Sequence, residues 1–277
     1  MGDDNRMNEE RSALMQAKRI VVKVGTSTLT YDNGKVNFTR IDKLTRVLSD
    51  LLNQDKEIVL VTSGAIGVGV GKLKLKKKPV SVPEKQAVAA VGQCELMHIY
   101  SKFFSEYGHT VGQILLTRDV VEGDHTRRNV INTFETLLKS GIIPIVNEND
   151  SVSIDEIEYG EKRVFGDNDT LSAIVAVLVK ADLLIILSDI DGFYDSDPRN
   201  NCNSHMLSIV REITPEIEMC AGGAGTRRGT GGMITKLMAA KLANAQGVDM
   251  VLTSGSEPGI ILDIIAGNDT GTLFTTK

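Results

Sequence analysis

The sequence predicts an α/β fold with a mainly parallel central sheet covered on both faces. Three observations predict it. Runs such as "RIVVKVG" and "DLLIILS" are apolar throughout rather than alternating, the pattern of strands buried on both sides. Segments of helical periodicity separate these runs along almost the whole chain. Most runs end in Gly with Ser or Thr, which suits tight turns from strand into helix.

Arg19 to Gly25 reads as a buried strand ending in a glycine loop. Thr39 to Gln54 places Ile41, Leu44, Leu48, Leu51 and Leu52 at helical spacing, with Thr39 as N-cap. Glu57 to Ala65 is the second strand and stops at another glycine turn. Pro83 to Gly108 is a long helix closed by Gly108. A strand at His109 to Thr117, a helix at Arg128 to Gly141 and a strand at Ile142 to Asp150 follow. "FGDNDTLSA", Phe165 to Ala173, sets two aspartates and an asparagine directly before an apolar helix, more polar groups than one cap needs. Asp182 to Gly192 is the next strand. A loop-rich region, the glycine-rich "AGGAGTRRGTGG", a helix from Met233, the strand "DMVLTSG", a short helix and "TLFTT" complete the chain. No Pro/Ser-rich linker and no repeat of solenoid period divides it. Residues 1–18 read as an N-terminal leader, frayed or a short helix, and 19–277 as a single domain.

Composition narrows the function. A chain of 277 residues that is 42% hydrophobic can bury a large core. A net charge of -5, 4% aromatics and no Trp argue against a nucleic-acid surface. Cys94, Cys202 and Cys220 are odd in number and widely spaced, so a reducing, cytoplasmic setting is expected rather than a disulfide framework. His98, His109, His125 and His205 show no metal-ligand spacing. No apolar run reaches the ~18 residues of a membrane span, and the N-terminus lacks the apolar core of a secretory signal. "KLKLKKK", Lys72 to Lys78, reads as a solvated loop, or else as a lid that attracts anions.

In an open parallel sheet, ligands bind at the carboxyl ends of the strands. Those ends are "KVGTST", "VTSGAIG", "VNEND", "LSDIDG" and "LTSGS", and the glycine turns of all but "VNEND" suit anions held by backbone N–H groups. No Walker A pattern is present. "GVGVGKLK", Gly67 to Lys74, resembles a dinucleotide fingerprint but reads as lacking the strand-turn-helix context. Two lysines stand out. Lys23 interrupts an apolar strand, where a charge is costly unless it is paired or meets an anion. Lys236 follows a glycine loop at the start of a helix, with a snorkelling surface lysine as the alternative.

"VVKVGTSTL", "VTSGAIGVG", "AAVGQ", "GQILLT", "VNENDSVS", "FGDNDTLSA", "LLIILSDIDGFYDSDPR" and "GTGGMITKLMAAKLA" occur in this order. Together they make the chain resemble the glutamate 5-kinase family of the amino acid kinase superfamily, from about Arg19 to Thr275. The resemblance implies a three-layer αβα sandwich. It implies ATP and L-glutamate as substrates, Mg2+ accompanying ATP, and L-glutamyl 5-phosphate as product, the first step of proline biosynthesis. Proline is the family's usual feedback inhibitor, and members commonly form homotetramers or homodimers. The chain resembles the short form without a C-terminal PUA domain. Handover of the unstable acyl phosphate to glutamyl phosphate reductase is a further expectation.

Residue roles follow from the same resemblance. Lys23 and Lys236 match the catalytic lysines, and Asp169 is expected to hold both. Ser63, Gly64 and Ala65 match the contact with the α-carboxylate of glutamate. Asn147, Asp150 and Asn168 match further glutamate positions, with Asp150 as counter-ion for the α-ammonium. Gly25, Thr26 and Ser27 would hold phosphates, and Ser188, Asp189, Thr230, Gly231, Gly232 and Met233 would complete the nucleotide site with Lys23 and Lys236. No metal-ligating residue is assigned. Residues 19–170 would then bind glutamate and 171–277 the nucleotide. "YGEKRV", Tyr159 to Val164, is longer than in many members. A glutamate side chain of pKa roughly 4.3 is already ionised at neutral pH, so the reaction needs no general base and suits a histidine-poor chain. Kinases for aspartate, acetylglutamate, carbamate or UMP are alternatives within the superfamily. A non-catalytic binder of proline or glutamate is an alternative outside it.

Overall fold

A computed structural model describes residues 2–31, 35–117, 123–152, 168–199, 201, 203–221 and 232–276. In chain order the first half holds α1 (Gly2–Ala13), β1 (Arg19–Val24), α2 (Thr26–Leu29), α3 (Phe38–Asn53), β2 (Glu57–Val61), α4 (Ala65–Lys72), α5 (Val82–Glu106), β3 (Thr110–Leu116), α6 (Asp124–Lys139) and β4 (Ile142–Glu148). The second half holds α7 (Asn168–Leu178), β5 (Leu183–Ser188), β6 (Phe193–Tyr194), β7 (Met206–Leu207), β8 (Ile209–Val210), α8 (Pro215–Ala221), α9 (Met233–Asn244), β9 (Asp249–Ser254), α10 (Ile260–Ile265) and β10 (Thr272–Phe274).

Among the described residues the main sheet has eight strands in the order β3-β4-β2-β1-β5-β9-β10-β8, and β6 pairs with β7 apart from it. All its pairings are parallel except β9 with β10. The apolar runs become its central strands because both their faces are covered. Ile20, Val22 and Val24 of β1 join one core with α3, α5 and α10, while Val21 joins the other with α6, α7 and α9. The result is helices on both sides of a mainly parallel sheet. Gly108 and Gly141 end α5 and α6 in the left-handed region at φ 79° and 67°, where a Cβ is strained.

Two local readings change. The N-cap of α3 is Asn37, not Thr39, and its side chain accepts from the Arg40 N–H at 3.1 Å. Gly67, Gly69 and Gly71 lie inside α4, so "GVGVGK" is helical and does follow a strand and a turn. The glycines serve packing there, because a Cβ on Gly69 would lie 2.1 Å from the Val88 carbonyl oxygen of α5. Within the leader, α1 is a helix tied to the far edge of the sheet. Arg11 is 2% exposed and donates to the carbonyls of Thr270, Ser208 and Gly271 at 2.7, 2.8 and 2.8 Å. Arg211 pairs with Glu10 at 2.8 Å. The lysine-rich stretch is exposed from Gly71 at the end of α4 to Lys78, and Lys72 pairs with Glu95 at 2.8 Å. No helix of the described residues is long and apolar enough to cross a membrane.

Candidate active site

The alternation of β1 puts Lys23 on the same face as Val21, the face covered by α7 and α9. Its register neighbours are Val61 of β2 and Ile186 of β5, so its stem rises from the middle of the sheet. Both covering helices aim their first turns at it. Lys23 Nζ lies 2.5 Å from Asp169 Oδ1, and Lys236 Nζ donates to Asp169 Oδ2 at 3.0 Å. Thr235 Oγ1 donates to the same oxygen at 3.3 Å. All three charged groups are buried, with Lys23 7%, Lys236 4% and Asp169 0% exposed. A snorkelling surface role for Lys236 is therefore ruled out.

Electrostatics explains why these three sit together. Burial alone would push the Asp169 carboxyl up, but the charges of Lys23 and Lys236 outweigh it and hold the group below the usual carboxylate range. Asp169 also lies in the first turn of α7, where the helix dipole favours an anion. Lys236 lies in the first turn of α9, where the same dipole disfavours a cation. Asp169 offsets that penalty, and an anionic ligand at the α9 N-terminus would offset it further.

The turns at the strand ends are laced together. Gly25 caps α2, and Thr26 and Ser27 are exposed beyond it. Thr26 Oγ1 is 3.3 Å from Ser63 Oγ, which donates to the Val24 carbonyl at 3.1 Å. Gly64 caps α4 at φ 91°, and a Cβ there would also press on Thr26 Oγ1 at 3.2 Å. Ala65 opens α4. Ser188 ends β5, its hydroxyl donating to the exposed Asp189 at 3.0 Å. Gly232 caps α9 and Met233 is its first residue. Thr230 and Gly231 lie outside the described residues, as do Phe165, Gly166, Asp167 and the segment from Tyr159 to Val164.

A pocket of about 380 Å³ opens between α5, β3 and the end of β4. Ala65, Gln93, Glu148, Asn149 and Asp150 are among its lining residues. Asp150 is half-buried and has no ion-pair or hydrogen-bond partner among the described residues, and burial pushes its carboxyl up to about 6. Asn147 is 1% exposed and donates through Nδ2 to Gln93 Oε1 at 2.8 Å. Asn168 carries a buried Oδ1 without a partner among the described residues. Such groups are those a bound molecule would satisfy, with a cation at Asp150 and a donor at Asn168.

Lys23, Asp169 and Lys236 thus converge at one place, and Ala65 and Asp150 at another. Sequence reasoning gave Gln93 no role of its own. The available signal was a polar residue on the apolar stripe Val88, Ala89, Gly92, Leu96 of α5.

Residues 18–254 match the model of the amino acid kinase family. The chain belongs to the amino acid kinase family. It is 67% identical to the glutamate 5-kinase of Clostridium perfringens, over 96% of this chain and 98% of that one. It is 59% identical to the glutamate 5-kinase of Listeria innocua, over 96% of each. Relatives this similar place it among the kinases of the glutamate 5-kinase branch. Among solved structures, UMP kinase from Ureaplasma parvum superposes with a TM-score of 0.63 over 93% of this chain and 98% of that one. At 13% identity that likeness speaks for the shared αβα fold alone.

Proposed function

We propose that this kinase transfers the γ-phosphoryl group of ATP to the side-chain carboxylate of L-glutamate, giving ADP and L-glutamyl 5-phosphate, the first step of proline biosynthesis. The observation that carries the reading is the buried Lys23–Asp169–Lys236 chain, with Asp150 unpaired among the described residues in a pocket of its own. The relatives named glutamate 5-kinase support the choice of substrate.

The chemistry asks little acid–base work of the protein. The attacking carboxylate is already ionised, so the barrier lies in bringing an anion to a polyanion. Lys23 and Lys236 supply the cations for the charge that develops on the phosphoryl oxygens. Asp169 keeps both ammonium groups in position and prevents their mutual repulsion. Gly25, Thr26, Ser27, Ser188, Asp189, Thr230, Gly231, Gly232 and Met233 hold the nucleotide together with the two lysines. Ser63, Gly64, Ala65, Asn147, Asp150 and Asn168 hold glutamate, with Asp150 against its ammonium. On this reading residues 19–170 serve glutamate and 171–277 the nucleotide.

Mg2+ fits as an ion carried by the triphosphate. Among the described residues no three acidic, imidazole or thiol groups gather, and both oxygens of Asp169 already face ammonium groups. Bound in this way, Mg2+ would neutralise phosphate charge. The remaining parts of the proposal are proline as a competing inhibitor, a homotetramer or homodimer, a cytoplasmic setting, and delivery of the product to glutamyl phosphate reductase.

The test is ADP release by the purified protein across L-glutamate, L-aspartate, N-acetylglutamate, carbamate and UMP, with and without proline. Release that depends on L-glutamate and disappears in Lys236→Ala is expected. Equal rates with another acceptor, or full activity in Lys236→Ala, would defeat the reading.

A further inference from the structure

Gln93 stands on α5 within an apolar stripe, is 8% exposed, and nevertheless has only half of its carboxamide satisfied. Its Oε1 accepts from Asn147 Nδ2 at 2.8 Å. Its Nε2 is shut off from solvent and has no partner among the described residues. A buried donor without an acceptor is destabilising, and folded proteins rarely keep one without a use. Gln93 also lines the pocket that holds Ala65 and Asp150. Neither Lys23 nor Lys236 is among the described residues lining that pocket. On the glutamate reading, the end of the substrate remote from phosphoryl transfer would enter it. There the acceptor substrate carries a carboxylate beside its ammonium, and Asp150 is matched to the ammonium.

We infer that Gln93 is a specificity-determining residue of this kinase, in which Oε1 fixes the Asn147 carboxamide and Nε2 donates to the α-carboxylate of the acceptor. The inference rests on the glutamate reading above and adds to it a residue that discriminates α-carboxylate from α-amide. The carboxamide suits this task because it has one acceptor and one donor end on a short planar group. Locking the acceptor end on Asn147 leaves the donor end one orientation. The neighbouring glycine supports the same geometry. A Cβ on Gly92 would lie 1.7 Å from the Ala65 carbonyl oxygen, so α5 touches the first turn of α4 backbone to backbone. That contact brings Gln93 to the same pocket as Ala65.

Gln93→Glu separates the two functions of the side chain. It keeps an acceptor for Asn147 and replaces the donor by a charge that repels a carboxylate. Steady-state ADP release is measured for wild type and Gln93→Glu with L-glutamate and with L-isoglutamine, its α-amide, alongside KM for ATP and a thermal melt. Wild-type turnover of L-glutamate tests the functional reading by itself, before any variant is made. The expected result for Gln93→Glu is a KM for L-glutamate raised at least tenfold, an unchanged KM for ATP, and a glutamate-to-isoglutamine preference lowered at least tenfold. An unchanged KM for L-glutamate, or equal losses on both acceptors, would overturn the inference. Should Gln93→Glu fail to fold, Gln93→Met removes the donor without adding charge. It should still raise KM more for L-glutamate than for L-isoglutamine, and equal effects overturn the inference in the same way.

Discussion

Asp169→Asn removes one negative charge and almost no volume, so its effect measures what the carboxylate does between two ammonium groups. Lys23 Nζ at 2.5 Å and Lys236 Nζ at 3.0 Å both lose their counter-ion while remaining 7% and 4% exposed. Breaking a buried pair by removing one partner typically costs about 3–5 kcal/mol, because the remaining charge stays desolvated. At roughly 2–4 °C per kcal/mol for a chain of this size, the melting temperature should fall by about 6–20 °C. Activity should fall further than stability. Two unneutralised ammonium groups repel, and a misplacement of about 1 Å at a reacting centre is worth on the order of a hundredfold in rate. ATP supplies negative charge to the same two groups, so it should raise the melting temperature of Asp169→Asn more than that of the wild type. The assays are coupled ADP release with saturating L-glutamate and a thermal melt with and without ATP. Turnover within about twofold of wild type, with an undiminished melting temperature, would refute the assignment of Asp169 as the group that positions both lysines.

Four further predictions test other parts of the molecule. Asp150 has its carboxyl pushed up to about 6 by burial, so the folded chain binds that proton more tightly than the unfolded chain and loses stability as pH rises from about 4 towards 6. Asp150→Asn should raise the melting temperature at pH 8 by a few degrees while weakening L-glutamate at least tenfold, and an unchanged KM for glutamate would remove Asp150 from the site. In the wild type, KM for glutamate should climb as pH drops below about 6, where the counter-ion for the ammonium is neutralised. Gly92→Ala must separate α4 from α5, since its Cβ would sit 1.7 Å from the Ala65 oxygen. Such overpacking typically destabilises by about 1–3 kcal/mol, and kcat/KM for glutamate should fall by on the order of a hundredfold with KM for ATP little changed. Arg11→Ala strands the Thr270, Ser208 and Gly271 carbonyls, and a melt should show a loss of about 2–4 kcal/mol with full turnover in the surviving fold.

The strands were legible because burial on both faces leaves no polar period to confuse, as in Ile20, Val21 and Val22. Other elements depend on contacts that a local pattern does not contain. Three glycines in eight residues argue against a helix at Ala65–Lys72, at roughly 1 kcal/mol each. The helix exists because those glycines admit α5, as the close approach of Gly69 to Val88 shows. The first helix carries few apolar residues, and its anchor Arg11 finds partners 197 to 260 residues away. Asn37 displaced Thr39 as the cap of α3 because either polar residue before an apolar period is a sound start, and the backbone chose the earlier one. Within the site, Lys23 announced itself as a charge in an apolar strand. Gln93 did not, since its meaning depends on Asn147 in another element, 54 residues along the chain.

The three charges at the sheet centre account for Asp169 of "DNDT". A pair of buried lysines without a counter-ion would repel each other. One carboxylate between them leaves a net charge of +1, held at fixed positions and still attractive to a triphosphate. Placing that carboxylate on the first turn of α7 adds the helix dipole to the balance, and the buried Ser172 hydroxyl bonds the helix backbone rather than competing for the lysines. Ser172 Oγ donates to the Asp169 carbonyl at 2.6 Å, which secures the turn that carries the carboxylate. A glutamate at position 169 would keep the charge but reach one methylene further, into the space of the ammonium groups. Asp169→Glu should therefore retain much of the melting temperature and lose most of the turnover, and recovery of both would show that charge alone, without position, suffices.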